Sequence, residues 1–121
     1  MPIEHLAFLQ TLPLIFKHAD LFFSHAGARP GVPLLNQDEK DLLWTRWRQS
    51  TVEIVFEKIV IHGHTPVPEP TAIGGRINVD TGAYATGRLA AAKLTPAGLS
   101  FLSVTQQDRE DIAVKAALKQ G

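Results

Sequence analysis

The chain has 121 residues, no cysteine, and 12 basic against 12 acidic side chains, so its formal net charge is zero. This length suffices for one small domain with a modest core. The balanced charge gives no reason to expect nucleic-acid or membrane binding, and the lack of cysteine excludes disulfides and thiolate metal sites. Because neither a signal peptide nor a membrane-spanning apolar run is visible, we expect a cytoplasmic protein.

The first quarter of the chain is predicted to contain a helix and a buried strand. Apolar residues at helical spacing predict a helix from about residue 3 to Pro13, which ends or bends it. Residues 14–17 are either a short strand or the tail of that helix. The run 21–24, apolar up to Ser24, predicts a strand covered on both faces, and the Gly and Pro content of residues 26–33 predicts a loop.

A second helix is predicted after this loop. Asn36 is a good N-cap, and Glu39 lies three residues later, as a capping box requires. Trp44 and Trp47 contribute to the apolar face of this helix. Residues 49–57 carry no clear pattern.

The remainder of the chain is predicted to be mostly strand. The expected order is a buried strand at 58–62, a loop at 64–75, a strand at 76–80, a turn at 81–83, a hairpin of 89–94 with 99–104, and a terminal helix at 108–119. The terminal helix is favoured by acidic residues in its first turn and lysines near its end.

Two histidines stand where predicted strands end. His25 follows the strand 21–24, His64 follows the strand 58–62, and each adjoins a glycine. Open α/β sheets bind ligands beyond the carboxyl ends of their strands, and neutral imidazole is a common ligand of divalent metals. The sequence therefore predicts one metal centre assembled from two loops, with His25 and His64 as ligands. The alternative is that both are hydrogen-bonded loop histidines.

His62 and Asp80 are further candidates near the same loops. An extended segment could aim His62 and His64 at one metal, but Gly63 favours a kink. His64 is therefore the preferred ligand, and packing in the last strand position is the alternative for His62. Asp80 follows a strand and precedes Thr-Gly. It could orient a metal-ligating histidine, although an Asx turn with its own backbone is favoured.

Arg46 is the candidate for binding a phosphate group. It lies between Trp44 and Trp47 near a helix end, and an arginine fork suits phosphate oxygens. A solvated or aromatic-stacked arginine is the alternative. Arg29 is a weaker candidate of the same kind.

Four segments together carry a family resemblance. They are Phe-Ser-His-Ala-Gly at 23–27, Asp-Leu-Leu-Trp-Thr-Arg at 41–46, His-Gly-His-Thr-Pro at 62–66 and Arg-Ile-Asn-Val-Asp-Thr-Gly-Ala at 76–83. In this order they resemble the C-terminal half of bacterial and phage-type serine/threonine protein phosphatases, which are calcineurin-like metallophosphoesterases. Residues 87–94 also resemble the final strand of that family, so the likeness covers most of residues 1–104.

The resemblance implies a function and a role for three residues. His25 and His64 resemble the family's ligands of the second metal, and Arg46 resembles its phosphate-binding arginine. Such enzymes hydrolyse phosphomonoesters with two divalent ions, commonly Mn²⁺, by in-line attack of a metal-bound hydroxide. The implied fold is α/β: a partial metallophosphoesterase β-sandwich with flanking helices, half of the αββα fold, over residues 1–104, with a C-terminal helix at 105–121.

The sequence also departs from the family pattern. The motifs Asp-X-His, Gly-Asp-X-X-Asp-Arg and Gly-Asn-His-Glu do not occur in it. With them are missing the ligands of the first metal, the bridging aspartate and the proton donor, so no catalytic residue is assigned. We therefore expect a truncated, fragmentary or split enzyme that has little or no phosphatase activity alone. The apolar strands should leave a face uncovered, and dimerisation, domain swapping or aggregation should cover it.

Two other functions stay open at this point. The motifs do not separate a phosphoprotein or small phosphoester substrate from a nucleotide, so a diadenosine-polyphosphate or other nucleotide phosphohydrolase is an alternative. A non-catalytic remnant, stable as a homo-oligomer or partner-bound module, is favoured by the missing ligands.

Overall fold

The computed structural model describes residues 1–47 and 54–108, which form a mixed α/β structure. The helices are α1 (Ile3–Thr11), α2 (Glu39–Trp44) and α3 (Ala83–Thr86), with a short 3-10 helix at Leu34–Asn36. The strands are β1 (Ile15–His18), β2 (Leu21–Ser24), β3 (Ile59–His62), β4 (Thr71–Ile73), β5 (Arg76–Asn78), β6 (Arg88–Thr95) and β7 (Gly98–Thr105). The α/β class expected from the sequence is thereby confirmed.

A five-stranded sheet in the order β1-β2-β3-β5-β4 organises the structure. Its three inner strands are parallel, whereas β1 and β4 pair antiparallel at the two edges. The predicted strands at 21–24 and 58–62 are confirmed as β2 and β3. Because β2 and β3 are parallel, their carboxyl ends lie at the same end of the sheet. The loops that contain His25 and His64 follow these ends.

The core lies against one face of this sheet. Phe22 of β2 and Val60 of β3 are fully buried there and pack with Ala28, Leu34 and Leu42. The Gly/Pro loop and α2 therefore supply the layer that covers this face. Phe22 and Val60 are partners in the β2–β3 register, so their side chains share one face.

Several sequence predictions need correction. The predicted loop at 64–75 contains the edge strand β4, and the predicted strand at 76–80 ends at Asn78. The N-cap prediction was wrong: α2 follows Asp38, whose side chain makes no capping hydrogen bond, while Asn36 ends the 3-10 helix. Helix α2 also stops at Trp44, so Trp47 lies beyond it.

The predicted hairpin is confirmed, and it forms a sheet of its own. Strands β6 and β7 pair antiparallel from Arg88↔Thr105 to Thr95↔Gly98. The first residue of the predicted terminal helix is helical, and the other residues of 108–119 lie outside the described part of the chain. Within residues 1–47 and 54–108, no helix combines the length and the apolar character needed to cross a bilayer.

Candidate metal centre

Parallel pairing of β2 with β3 brings the two histidine loops together. The register Phe22↔Val60 and Phe23↔Ile61 is continued past the strand ends by one more hydrogen bond, in which the Gly63 N–H donates to the His25 carbonyl at 2.8 Å. The backbone of His25 is thus fixed beside that of Gly63, one residue from His64.

The rings of His25 and His64 meet as the strand-end argument predicted. His25 Nε2 and His64 Nδ1 are joined by a hydrogen bond of 3.1 Å, as the alternative of hydrogen-bonded loop histidines predicted, and the ring centroids are 5.0 Å apart. With metal–nitrogen bonds of about 2.1 Å, this separation corresponds to an angle of about 95° at a shared cation. That angle lies between the octahedral value of about 90° and the tetrahedral value of about 109°, so the pair fits a divalent ion.

The pair alone does not make up a metal site. Within residues 1–47 and 54–108, no group of three or more His, Cys, Asp or Glu side chains is arranged to hold a metal ion. His64 Nε2 is buried and has no hydrogen-bond partner, although a metal-ligating histidine ordinarily donates its second N–H to a carboxylate or carbonyl. The described residues therefore supply two nitrogens and lack both further ligands and this acceptor.

The backbone at His64 is held in an unusual conformation. His64 has a φ of 70°, which places an L-residue in the left-handed region at a cost of about 1–2 kcal/mol. The Thr65 N–H donates to the Gly63 carbonyl at 2.9 Å, so His64 is the central residue of a strained three-residue γ-turn. Such outliers persist only where the surroundings hold them in place, and they cluster at functional sites.

Asp80 is the group that holds this turn. Its Oδ2 accepts the His64 backbone N–H at 2.9 Å, and its Oδ1 accepts the Gly82 N–H at 2.9 Å. The second contact is the predicted Asx turn, which is confirmed. The alternative, in which Asp80 accepts a hydrogen bond from a histidine ring, was wrong: Asp80 instead accepts from the His64 backbone N–H.

His62 packs within the structure and does not join the pair. Its side chain is 2% exposed; its ring lies against Trp47 with centroids 5.5 Å apart, and its Nε2 is 3.2 Å from an Arg76 guanidinium nitrogen. Since arginine can only donate, Nε2 accepts and the ring is neutral. Burial lowers the pKa of His62 to about 4, and the positive charge of Arg76 also lowers it.

Trp47 joins the two histidine loops, a role that the sequence did not indicate. Its indole N–H donates to the Ala26 carbonyl at 2.9 Å, and its backbone N–H donates to Thr65 Oγ1 at 3.1 Å. The Arg76 guanidinium lies over the Trp47 ring, 4.1 Å from its centroid, which is a cation–π contact. The Trp-X-X-Trp pattern predicted only an apolar helix face, and no local signal marks these long-range contacts.

Arg46 is exposed, and among the described residues no carboxylate lies within ion-pair distance of it. The residues on either side of Arg46 contact the His64 loop. The Trp44 ring packs edge-on against the His64 ring with centroids 5.7 Å apart, and the Trp47 backbone N–H donates a hydrogen bond to Thr65 Oγ1. The backbone of Arg46 thus lies beside the His64 loop. Arg29, the weaker candidate, is paired with Asp41 at 4.0 Å.

Comparisons with known proteins give no assignment for this site. Neither the protein-family models nor the curated proteins searched contain a match to this chain.

The contact between Trp47 and Gly27 generates a first prediction. Gly27 has a φ of 107°, and a Cβ there would lie 2.7 Å from the Trp47 indole nitrogen. We expect Gly27→Ala to lower the free energy of unfolding by at least about 2 kcal/mol. Alanine is strained at this positive φ, and its Cβ would clash with the rigid indole. Urea unfolding measures this, with Gly31→Ala as the control; Gly31 also has a positive φ, 80°, but open space around its Cβ. Equal losses in the two variants would contradict the clash.

The γ-turn at His64 generates a second prediction. Since glycine adopts positive φ without strain, His64→Gly should be more stable than His64→Ala by about 1 kcal/mol. Thermal or urea unfolding of the metal-free variants measures the difference. Tyr84, which is 94% exposed in α3, is the control position. There Tyr84→Ala should be more stable than Tyr84→Gly, because alanine favours a helix. The same order at both positions would refute strain at His64.

The buried neutral His62 generates a third prediction. Its folded-state pKa of about 4 lies below the ordinary 6.5, so the unfolded chain binds the proton more readily. His62 therefore contributes stability that is fully present above pH 6.5 and is lost as the pH falls toward 4, up to about 3 kcal/mol. Across this pH range the free energy of unfolding should depend less on pH in His62→Gln than in the wild type. In the wild type the NMR titration midpoint of the His62 ring should be near 4. A midpoint near 6.5 would contradict its burial as a neutral ring.

Proposed function

We propose that this chain supplies the second-metal half of a phosphoester-hydrolysing site of the calcineurin-like, serine/threonine phosphoprotein phosphatase type. The observation that supports this most directly is the 3.1 Å approach of His25 Nε2 to His64 Nδ1. It joins two motifs, His-Ala-Gly and Gly-His-Thr, whose histidines lie 39 residues apart in the chain.

In this proposal the chain's residues bind and orient. His25 Nε2 and His64 Nδ1 hold the second cation, Mn²⁺, and the Asp80 carboxylate keeps the His64 backbone in the conformation that presents Nδ1 to His25. The exposed guanidinium of Arg46, whose backbone lies beside the same loop, binds the phosphate oxygens of a phosphomonoester by paired hydrogen bonds. When bound, two divalent ions would supply an activated water and neutralise the phosphate charge.

The proposal also accounts for what the described residues lack. Phosphoryl transfer depends mainly on positioning and charge neutralisation, and two imidazoles without bridging carboxylates provide little of either. The chain alone is therefore proposed to be inactive. The rest of the αββα fold, carried by another polypeptide segment, would provide the first-metal ligands and the proton donor.

Metal binding tests the ligand assignment without requiring activity. Titration with Mn²⁺ should broaden the NMR signals of residues around His25 and His64 first, and His25→Ala and His64→Ala should each bind at least about tenfold more weakly, because half of the protein donors are lost. His5→Ala, which removes an exposed imidazole in α1, should bind as the wild type does. Unchanged affinity in the His25 and His64 variants would refute the assignment.

Hydrolysis tests the second part of the proposal. The chain alone should hydrolyse p-nitrophenyl phosphate in Mn²⁺ no faster than His64→Ala does. A fusion to a segment carrying the three missing motifs should gain Mn²⁺-dependent hydrolysis, which Arg46→Ala should reduce and Arg29→Ala should not. Activity of the unfused chain that disappears in His64→Ala would overturn the proposed half-site.

A further inference from the structure

The Nε2 atom of His64 is a buried polar atom that the hydrogen bonds described above leave unexplained. Solvent does not reach it, and it has no hydrogen-bond partner within residues 1–47 and 54–108. A buried nitrogen without a partner is unfavourable whether it bears a proton or a lone pair. Its protonation therefore depends on what lies against the ring, and the His64 ring packs against the rings of His25 and Trp44.

The hydrogen bond between the two imidazoles allows two arrangements of the protons. A neutral imidazole has one N–H donor and one lone-pair acceptor, so in the contact of His25 Nε2 with His64 Nδ1 either ring can be the donor. If His64 donates from Nδ1, its buried Nε2 bears a lone pair. If His25 donates from Nε2, then His64 Nδ1 accepts, and the single proton of His64 is on Nε2.

The Trp44 ring favours the second arrangement. The planes of the Trp44 and His64 rings are 88° apart, with centroids at 5.7 Å. In an edge-to-face pair the electron-rich face of one ring attracts the electropositive edge of the other. An imidazole N–H is such an edge and can donate to an aromatic face, whereas a nitrogen lone pair directed at that face would be repelled. The perpendicular packing therefore favours a proton on His64 Nε2.

The backbone around Trp44 holds its ring beside the imidazole pair. The Ala26 N–H donates to the Leu42 carbonyl at 2.8 Å, which ties α2 to the loop of His25. The Trp47 N–H donates to Thr65 Oγ1 at 3.1 Å, which ties the residues after α2 to the loop of His64. Trp44 lies between these two attachments. It is 65% exposed, so burial in the core does not account for its position.

We propose that an N–H···π hydrogen bond to the Trp44 indole holds His64 in the Nε2–H tautomer, with His25 donating to His64 Nδ1. Trp44 is then a positioning residue, because it acts through His64 and determines which nitrogen bears the lone pair. That lone pair, on Nδ1, accepts the hydrogen bond from His25, and it becomes available to a proton donor or a cation when the His25 ring turns aside. The inference does not depend on the proposed function, since neither imidazole needs a metal for it.

Nitrogen NMR of the metal-free, full 121-residue chain tests the tautomer directly. Two-bond correlations from the carbon-bound ring protons distinguish a protonated from a bare imidazole nitrogen. They should be recorded at about pH 8.5, where imidazole is ordinarily neutral. We expect His64 Nε2 to be protonated and Nδ1 bare, with the carbon-bound protons beside Nε2 shifted upfield by the indole ring current. A proton on His64 Nδ1 would overturn the proposal.

Variants at Trp44 separate the π contact from simple packing. Trp44→Leu keeps an apolar side chain without an aromatic face, so the ratio of Nε2–H to Nδ1–H in His64 should fall about two- to fivefold, the factor expected for one weak N–H···π contact. The upfield shift should be lost as well. Trp44→Phe restores an aromatic face and should recover most of the ratio. Tyr84→Leu removes an aromatic ring that is 94% exposed in α3, and it should change neither quantity.

Each contrary result has a defined meaning. Equal ratios in the wild type and in Trp44→Leu would refute the role of Trp44. A loss in Trp44→Phe as large as that in Trp44→Leu would refute the N–H···π bond, because the shape of the indole, and not its aromatic face, would then hold the ring. These measurements use no metal, so they are independent of the Mn²⁺ titration that tests the proposed function. The tautomer can be confirmed where no cation binds, and a cation can bind where the tautomer is refuted.

Discussion

The parallel alignment of β2 and β3 is the constraint on which the candidate site depends. It places the loops that follow β2 and β3 at the same end of the sheet. The hydrogen bond from the Gly63 N–H to the His25 carbonyl extends the alignment into these loops. Without it, imidazoles 39 residues apart would have no reason to approach within 3.1 Å. The alignment in turn depends on the burial of Phe22 and Val60, which leaves few other registers that keep the core covered.

The loops beyond the strands are then fixed by polar contacts instead of apolar packing. Trp47 bonds to the loop of His25 through its indole and to the loop of His64 through its backbone, while Asp80 holds the turn between β3 and the following segment. The buried His62 and the half-buried Arg76 lie within hydrogen-bond distance of each other, and both contact the Trp47 ring. These contacts connect the His25 and His64 loops to each other and to the segment that follows β5.

The sequence predicted the parts of this arrangement that have a local physical cause. The strands before His25 and His64 follow from short apolar runs, and the β6–β7 hairpin follows from two runs separated by a Pro-Gly turn. Prediction from the sequence failed where contacts between distant parts of the chain determine the structure. Strand β4 is an exposed edge of three residues with no apolar pattern, and Trp47 bonds to partners 21 and 18 residues away. Asn36 satisfied a local capping rule, but it ends the 3-10 helix Leu34–Asn36, and α2 begins three residues later at Glu39.

The conformation of His64 places folding and ligand binding in conflict at a single position. In a population of variants selected only for thermal resistance, glycine would be enriched at this codon, because it adopts a φ of 70° without strain. In a population selected for capture of a cation, histidine would be retained despite its cost. The amino acid that survives at position 64 under a given selection would therefore report whether the imidazole has any use there.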